Sequence, residues 1–343
     1  MAIETSCDDT CIAIIEAKGK KSPPSFKILS NIISSQVKIH AKYGGVFPSL
    51  AKREHLKNLP LVLNKALRKA KAPKIDLIAV TAGPGLEPCL WTGINFAQGL
   101  AKKLNLPIIP INHIEAHIFA NFIKKSKVAF PAICLVISGG HTQLILMKGF
   151  GEYKIIGETR DDAAGECFDK SARILGLGYP GGPIISKLAK LSPRKKIPVN
   201  LPRPMIYQKN YDFSFSGLKT AVLYDFKSRP KKTRESKNYK RAMAKEVQQA
   251  IIDVLILKTI KAAKEHRAKS IILGGGVSSN DELRKQFKEK VKKEIPDCNF
   301  QIPEPQFCTD NAVMIAATGY FHQTKEKKGE TKALEADANL TLK

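Results

Sequence analysis

The chain has 343 residues, 43% of them hydrophobic, which is enough apolar content for two compact lobes without disulfides or a structural metal. Its net charge of +26 favours a polyanionic partner such as nucleic acid, although the lysines are spread along the whole chain. No apolar run approaches the roughly 20 residues that a membrane helix needs, and the start lacks the pattern of a secretory signal. We therefore expect a cytoplasmic protein with no membrane association.

The first part of the chain reads as a short apolar strand, a polar turn at residues 5–10 and a second apolar strand. Residues 133–147 repeat this plan around a glycine turn, and residues 75–88 and 269–283 each run from a buried strand into a glycine loop and a helix. A hairpin followed by a strand, a glycine loop and a helix, twice over, is typical of a duplicated α/β unit. The pattern predicts two similar lobes that face each other across a cleft.

Glycine loops at strand ends can bind phosphate through backbone N–H groups and helix N-termini. A single loop of this kind is more often only a turn, but the chain contains four of them, which favours a ligand-binding role. They lie at residues 83–85, 138–140, 181–182 and 274–276.

Residues 150–245 read as an insertion in the second lobe. The insertion begins with a predicted helix, AAGECFDKSARILG, and residues 227–241 are so charged that we expect a mobile, solvated loop, with phosphate contact as the alternative. The end of the chain is rich in Lys and Glu and reads as a frayed tail. The predicted organisation is an N-terminal lobe (1–116) completed by a helix at about 310–324, a C-terminal lobe (117–309), and a charged tail (325–343).

The seven cysteines are odd in number and contain no CxxC pair, so we expect reduced and mostly buried thiols. Cys7 and Cys308 flank polar loops, and a minor ligand or positioning role stays open for these two.

The stretch HIEAH at residues 113–117 places two histidines on one helical face. At 100° per residue His113 and His117 lie about 40° apart, whereas Glu115 lies about 200° from His113. Glu115 therefore cannot join both histidines on one metal, which excludes the HExxH arrangement of zinc peptidases. A metal site needs a third ligand, and Asp310 is the best remote candidate, because it precedes an apolar helix. Two alternatives stay open: the histidines only pack, and Asp310 is an ordinary helix N-cap.

Two further acidic groups could carry chemistry. Asp8 and Asp9 lie in the first hairpin turn. Asp162, Glu166 and Asp169 share one predicted helical face, where ion pairs with nearby basic residues would explain them. The position of Asp169 between two glycine loops is the reason to place it near the cleft.

Together these motifs resemble the TsaD family, the tRNA N6-adenosine threonylcarbamoyltransferases, and the chain looks like a bacterial member. The similar blocks run in order over about residues 2–320. They include ETSCDDT, HIEAH, ISGGHTQL, DDAAGECFDKSARILGLGYPGGP, DFSFSGLKTA, GGGVSSN and CTDNAVMIA.

The resemblance implies an α/β, actin/Hsp70-like (ASKHA) fold of two RNase-H-like lobes around a cleft, with one divalent metal ion. Fe²⁺ is favoured and Zn²⁺ would also suit the ligands. The implied metal ligands are His113, His117 and Asp310. The implied substrate-binding residues are Val136, Ile137, Ser138, Gly139, Gly140, Asp169, Gly182 and Asn280. The implied role of Asp8 and Asp9 is to align or deprotonate the attacking amine.

The resemblance also implies a reaction. L-threonylcarbamoyladenylate and adenosine 37 of tRNAs that read codons beginning with A would give the N6-threonylcarbamoyl base and AMP. The implied partners are tRNA, a non-catalytic paralogue, TsaB, and a small P-loop ATPase, TsaE. Two other classes are an actin-like-fold ATPase or sugar kinase, which would need no such histidines, and a silent scaffold, which would lack the metal residues.

The chain departs from the family pattern near its start. Members usually begin a few residues earlier, so the first strand should be short. The family commonly has Glu where this chain has Asp9, and the loss of one methylene group retracts the carboxylate by roughly an ångström.

Overall fold

A computed structural model describes residues 1–19, 24–124, 126, 128–191, 197–323 and 334–342. The chain forms two compact units. The first comprises Met1–Ser126 and Gln306–Leu342, and the second comprises the residues between Lys127 and Pro305. Among the described residues, no helix combines the length and the apolar character needed to cross a bilayer.

The sheet of the first unit has five strands: β1 (Ala2–Glu4), β2 (Asp9–Lys18), β3 (Ser25–Ser35), β4 (Ile78–Gly83) and β5 (Ile108–Asn112). Their order is β3-β2-β1-β4-β5. The first three strands are antiparallel, and β4 and β5 continue the sheet in parallel from β1. The expected short first strand is present as three buried residues.

The helices that follow these strands are α1 (Val37–His40), α2 (Pro48–Lys69), α3 (Glu87–Leu104) and α4 (His113–Phe119). Apolar side chains of α2 and α3, including Leu59 and Ile94, pack with Ile12 and Val80 of the sheet in one buried core. This core fixes one face of the sheet.

The second sheet repeats the first. Its strands are β6 (Ala132–Ile137), β7 (Thr142–Gly149), β8 (Glu152–Glu158), β9 (Ser270–Gly274) and β10 (Asn299–Gln301). The order β10-β9-β6-β7-β8 again places three antiparallel strands beside two that are parallel to the first of them. The duplicated α/β plan predicted from the sequence is confirmed.

The helices of the second unit are α5 (Ala164–Ile174), α6 (Gly181–Ala189), α7 (Ser216–Ser228), α8 (Lys231–Arg234), α9 (Lys237–Glu265) and α10 (Asp281–Glu294). The predicted insertion at 150–245 is therefore too long at both ends. Its first residues form β8, which pairs with β7, and its last residues belong to α9. The helix predicted to open the insertion is present as α5.

Most of the segment 227–241 is helical, with short breaks at 229–230 and 235–236, and its prediction as a solvated loop is wrong. Its charged side chains lie outside, while Tyr239 is buried and donates a hydrogen bond to Asp225 at 2.8 Å. Ser236 caps α9 by accepting from the Tyr239 N–H. Arg229 also donates to Asp225 through two nitrogens, and Arg234 lies over the Phe226 ring, so part of the charge that suggests a solvated loop instead attaches the segment to α7.

The chain then returns to the first unit as α11 (Ala312–Gln323), which packs on β1, β2 and α4. All seven residues of α4 are buried. The first unit therefore extends to Ser126, and the predicted boundary after residue 116 falls inside a helix that belongs to the first core.

The end of the chain also packs on the first unit. The Asp337 N–H donates to the Ala82 carbonyl at 2.8 Å, and Leu334 and Ala336 contact the core beneath α2 and α3. The predicted frayed tail is wrong over residues 334–342, because these apolar side chains and backbone bonds anchor it. Residues 324–333 and 343 of the predicted tail lie outside the described residues.

Candidate metal centre and active site

The junction between β5 and α4 places the first histidine. The Asn112 side chain caps α4, accepting from the N–H groups of Ile114 and Glu115 at 2.8 and 3.1 Å. This cap starts the helix at His113, directly after the strand ends. His117 lies one turn further on, and the two imidazole rings have centroids 4.6 Å apart.

The structure brings the three predicted metal ligands together. Oδ1 of Asp310 lies 3.5 Å from Nε2 of His113 and 3.4 Å from Nε2 of His117. Two ligand atoms on one tetrahedral ion, each about 2.1 Å from it, would be roughly 3.4 Å apart. The spacing therefore suits a single cation bound by two imidazoles and one carboxylate.

The surroundings of His117 support the same fit. Its ring is fully buried, Nε2 faces the Asp310 carboxylate at 3.4 Å, and Nδ1 has no hydrogen-bond partner among the residues that the structure describes. Burial lowers the pKa of His117, so the ring is neutral and offers a lone pair. A buried lone pair is costly unless something binds it, and a metal ion beside Asp310 would accept the lone pair of Nε2.

Asp310 does not cap α11. The neighbouring residue, Asn311, accepts from the Met314 N–H at 3.1 Å and is the cap. Its amide also donates to the Thr309 carbonyl at 2.8 Å. The N-cap alternative for Asp310 is thus wrong, and its carboxylate faces the histidines instead.

Glu115 lies on the opposite side of α4, as the helical angle predicts. Its Oε2 is 2.7 Å from Nε2 of His322 on α11. Glu115 ties α4 to α11 and is absent from the ligand set. The zinc-peptidase arrangement is therefore excluded by geometry as well as by spacing.

Glu4 was not singled out from the sequence, although it lies at the centre of this region. It is fully buried, and its Oε2 accepts from Nδ1 of His113 at 2.9 Å and from the Thr81 hydroxyl at 2.7 Å. Burial alone would raise the pKa of Glu4, but attraction to His113 outweighs it and lowers the pKa. Burial likewise lowers the pKa of His113, and Glu4 and Asp310 reverse the effect and raise it to about 9. The signal was available: an acidic residue inside a buried strand needs a partner.

Asp8 and Asp9 follow Glu4 in the turn and at the start of β2. Both are half-buried, and in the described part of the chain one carboxylate oxygen of each has no hydrogen-bond partner. Burial, with the negative charge of Asp310, raises the pKa of both residues, that of Asp9 to about 7.

A buried histidine that the sequence did not single out holds this turn in place. Nε2 of His55 donates to the Cys7 carbonyl at 2.9 Å, and its Nδ1 accepts from the Thr10 hydroxyl at 2.8 Å. Burial lowers the pKa of His55, so the ring stays neutral and can serve both roles. The cysteines are all free thiols, and six of the seven are buried, with Cys7 half-buried.

In the second unit, one backbone and one side-chain hydrogen bond close the turn after β6. The Ser138 N–H donates to the His141 carbonyl at 2.8 Å, and the His141 N–H donates to Oγ of Ser138 at 3.1 Å. A methyl group added at Gly139 or Gly140 would meet no atom within 4 Å. Packing therefore does not require these two glycines, and the turn offers an open backbone to a ligand.

The other predicted substrate residues of this unit take part in local structure. Asp169 accepts from the Gly181 N–H at 2.7 Å at the start of α6, and the half-buried Gly182 follows. Asn280 caps α10 by accepting from the Leu283 N–H at 3.0 Å, and its amide donates to Gln248. Val136 and Ile137 are buried at the end of β6.

The fold class is an α/β, two-lobed, actin/Hsp70-like one, and solved structures share it. The crystal structure of full-length HypF in its phosphate- and nucleotide-bound form superposes with a TM-score of 0.58 at 12% identity, over 96% of this chain and 56% of that one. HypF of T. kodakarensis gives 0.58 at 13% identity, over 94% of this chain and 48% of its own. The chain thus spans about half the length of these proteins, and the likeness concerns the fold alone.

Sequence relatives define the family. The model of the TsaD family, tRNA N6-adenosine threonylcarbamoyltransferase, matches residues 27–317. Proteins of that name from Thermosipho africanus and Geobacillus kaustophilus are 47% and 43% identical over the whole of this chain, which covers 99% and 96% of their lengths. The chain belongs to the tRNA N6-adenosine threonylcarbamoyltransferase family.

Proposed function

We propose that this protein transfers a threonylcarbamoyl group from L-threonylcarbamoyladenylate to N6 of adenosine 37, in tRNAs that read codons beginning with A. A bond forms between N6 and the carbamoyl carbon, the bond from that carbon to the phosphate oxygen breaks, and AMP leaves. The observation that carries the proposal is the convergence of His113, His117 and Asp310 in a member of this family. An ATPase or sugar kinase of the same fold would have no use for these ligands.

The three ligands would hold one divalent cation, with Fe²⁺ favoured by the family resemblance and Zn²⁺ also suited to two imidazoles and a carboxylate. When bound, the cation would supply Lewis-acid polarisation of the carbamoyl donor. The ligands come from α4 and from the start of α11, and Asn112 and Asn311 fix where those helices begin.

The second unit would bind the nucleotide portion of the donor. The open backbone at Gly139 and Gly140 suits a phosphate or ribose, because backbone N–H groups can approach it without a side chain between them. Val136, Ile137 and Ser138 would line the same turn. Further contacts would come from Asp169 in α5, Gly182 at the start of α6 and Asn280 at the start of α10.

Asp8 and Asp9 are the residues that would align the attacking amine or accept its proton. The exocyclic amine of adenine is a weak nucleophile, so positioning and removal of its proton must supply much of the acceleration. A pKa of about 7 leaves Asp9 partly ionised at neutral pH, which suits a group that accepts a proton. Adenosine 37 lies in a single-stranded loop, and presenting it costs less unstacking than extracting a base from a duplex.

The proposed partners are tRNA, the paralogue TsaB and the ATPase TsaE, in the cytoplasm. The net charge of +26 supports a polyanionic substrate.

The test combines metal content with transfer. Wild-type protein should contain about one equivalent of metal by elemental analysis and should transfer labelled threonine to tRNA when the partner proteins and the adenylate are added. The His113→Ala, His117→Ala double variant should lose the metal and at least about 100-fold of the rate. His266→Ala, in the second unit, is the control and should keep both.

Two outcomes would contradict the proposal: wild-type protein without metal, or a double variant with unchanged transfer. The same assay tests the acidic turn. Replacing Asp8 and Asp9 together by Asn should slow transfer and leave the metal content unchanged, and equal turnover would remove both from the mechanism.

A further inference from the structure

Two carboxylate–histidine pairs each join α4 to another element, one with a buried histidine, His113, and one with a half-buried histidine, His322, and they differ in what the histidine does. Glu115 contacts His322, which is not a metal ligand. Glu4 contacts His113, which is one of the proposed ligands, through Nδ1. Both acidic residues are buried, so the chain itself supplies a comparison between a ligand pair and an ordinary structural pair.

The contacts of Glu4 fix where the proton of His113 lies. An ionised carboxylate only accepts hydrogen bonds, and the groups around Glu4 donate them: the Ser6 N–H to Oε1, and the Thr81 hydroxyl and His113 to Oε2. His113 must therefore carry its proton on Nδ1. In a neutral imidazole the lone pair is then on Nε2, which is the nitrogen 3.5 Å from Asp310.

The location of Glu4 makes a purely structural role a poor explanation. A carboxylate with no solvent exposure is expensive to bury, and apolar side chains of similar volume usually stabilise a core at least as well. Glu4 is also set in β1 between Ile3 and Thr5, which are buried as well. A buried acid that contacts a metal-ligating imidazole through its second nitrogen is the arrangement that orients such ligands in proteins.

We propose that Glu4 is a positioning residue of the metal centre: it holds the proton of His113 on Nδ1 and fixes the ring so that Nε2 binds the cation. The inference rests on the metal centre of the proposed function. Glu4 lies outside the set of three side chains whose ligand atoms converge. In the described part of the chain Nδ1 of His117 has no hydrogen-bond partner, so no carboxylate plays the corresponding role for the second histidine.

The test measures metal affinity rather than transfer. Metal-free wild type, Glu4→Gln and Glu115→Gln would each be titrated with Co²⁺ and followed by its visible absorption. Glu4→Gln removes the charge at nearly constant volume, and we expect its dissociation constant for Co²⁺ to rise about 10- to 100-fold. Glu115→Gln breaks the matched pair on the other side of α4, and its dissociation constant should stay within about threefold of wild type.

A second variant keeps the test decisive if Glu4→Gln does not fold, as judged by circular dichroism and thermal unfolding. Glu4→Asp keeps the charge and retracts the carboxylate by roughly an ångström, so it should weaken Co²⁺ binding by about fivefold or more and change the absorption spectrum. Wild-type affinity in the folded Glu4 variant, or an equal loss in Glu115→Gln, would overturn the inference.

The outcome is separable from that of the proposed function. Wild-type protein that transfers threonylcarbamoyl while Glu4→Gln binds Co²⁺ normally would refute only the role of Glu4. Co²⁺ binding that depends on Glu4, in a protein that modifies no tRNA, would refute only the transferase.

Discussion

The two units share a strand order but use the same turn differently. In each, four residues connect the first strand to the second: 5–8 in the first unit and 138–141 in the second. The first turn has the sequence TSCD and leads into Asp9, whereas the second has the sequence SGGH and contains no acidic residue. One frame therefore presents an acidic edge in one unit and an open backbone edge in the other.

The two edges also differ in the hydrogen bonds that hold them. Side-chain hydrogen bonds hold the first turn, through His55 to the Cys7 carbonyl and Glu4 to the Ser6 N–H. Close glycine packing is common to both turns: Gly85 and Gly93 approach Ser6 and Thr5 of the first, and Gly165 and Gly275 approach the backbone of residues 137–138 in the second. Both edges should therefore be sensitive to added volume, and the first edge should in addition be sensitive to charge and pH.

The largest expected effect on stability is at the open backbone edge of the second unit, residues 138–141. Gly275 has φ +85° and ψ 161°, a conformation that is essentially restricted to glycine, and a Cβ atom there would lie 2.3 Å from the Ile137 carbonyl oxygen. Because the clash involves backbone on both sides, Gly275→Ala should cost about 4 kcal/mol or more of unfolding free energy. Urea unfolding followed by circular dichroism measures it.

Gly139→Ala is the matched control, since its added methyl group meets open space. Its unfolding free energy should change by less than about 1 kcal/mol, while transfer falls if this turn binds the donor. Equal stabilities of the two variants would mean that close packing does not hold the second edge.

The next effect is on the acidic edge and depends on pH. Burial raises the pKa of Asp9 from 3.8 to about 7, so the folded state binds more protons than the unfolded state between these values. Stability from this group is therefore present at low pH and is lost as pH rises through 7. In chelator-treated protein, we expect wild type to lose about 2 to 3 kcal/mol between pH 5 and pH 8 relative to Asp9→Asn.

Urea titrations of both proteins across this range provide the measurement, and the difference between them isolates Asp9 from other groups. Parallel pH profiles would show that Asp9 titrates normally and that its burial does not matter. Transfer by Asp9→Asn at each pH then indicates whether the same proton takes part in the reaction.

The sequence predicted what periodicity and spacing encode. Both hairpins, the glycine loops and the face shared by His113 and His117 follow from local pattern, and the helical angle of Glu115 is enough by itself to exclude a zinc-peptidase arrangement. Local pattern made Asp310 only a candidate third ligand, with a helix N-cap as the alternative, and the family resemblance then favoured the ligand, because no local rule predicts a convergence across almost 200 positions.

What local pattern missed depends on partners distant in sequence. The role of Glu4 could not be predicted locally, because its partner, His113, lies 109 residues away. Residues 227–241 looked solvated because their charges outnumber the one aromatic residue that anchors them, Tyr239. The chain end looked frayed because its backbone partner, Ala82, is also far away in the sequence. Composition predicts which side chains of such segments are exposed, but it does not predict their contacts with residues distant in sequence.

The smallest expected effect on stability comes from the neighbouring residues Asp310 and Asn311, a proposed metal ligand and a helix cap. Asn311→Ala removes the bond to the Met314 N–H and should cost about 1 kcal/mol of unfolding free energy, with Co²⁺ affinity nearly retained. Asp310→Ala should do the reverse, abolishing tight Co²⁺ binding at little cost in stability, since Asn311 and not Asp310 caps α11.

Asn280→Ala removes the cap of α10 in the second unit and should lower the unfolding free energy by a similar amount. If Asn311→Ala lost the metal as fully as Asp310→Ala, folding and ligation would be inseparable at this edge, and the contrast between the two units would have to be drawn from the glycines alone.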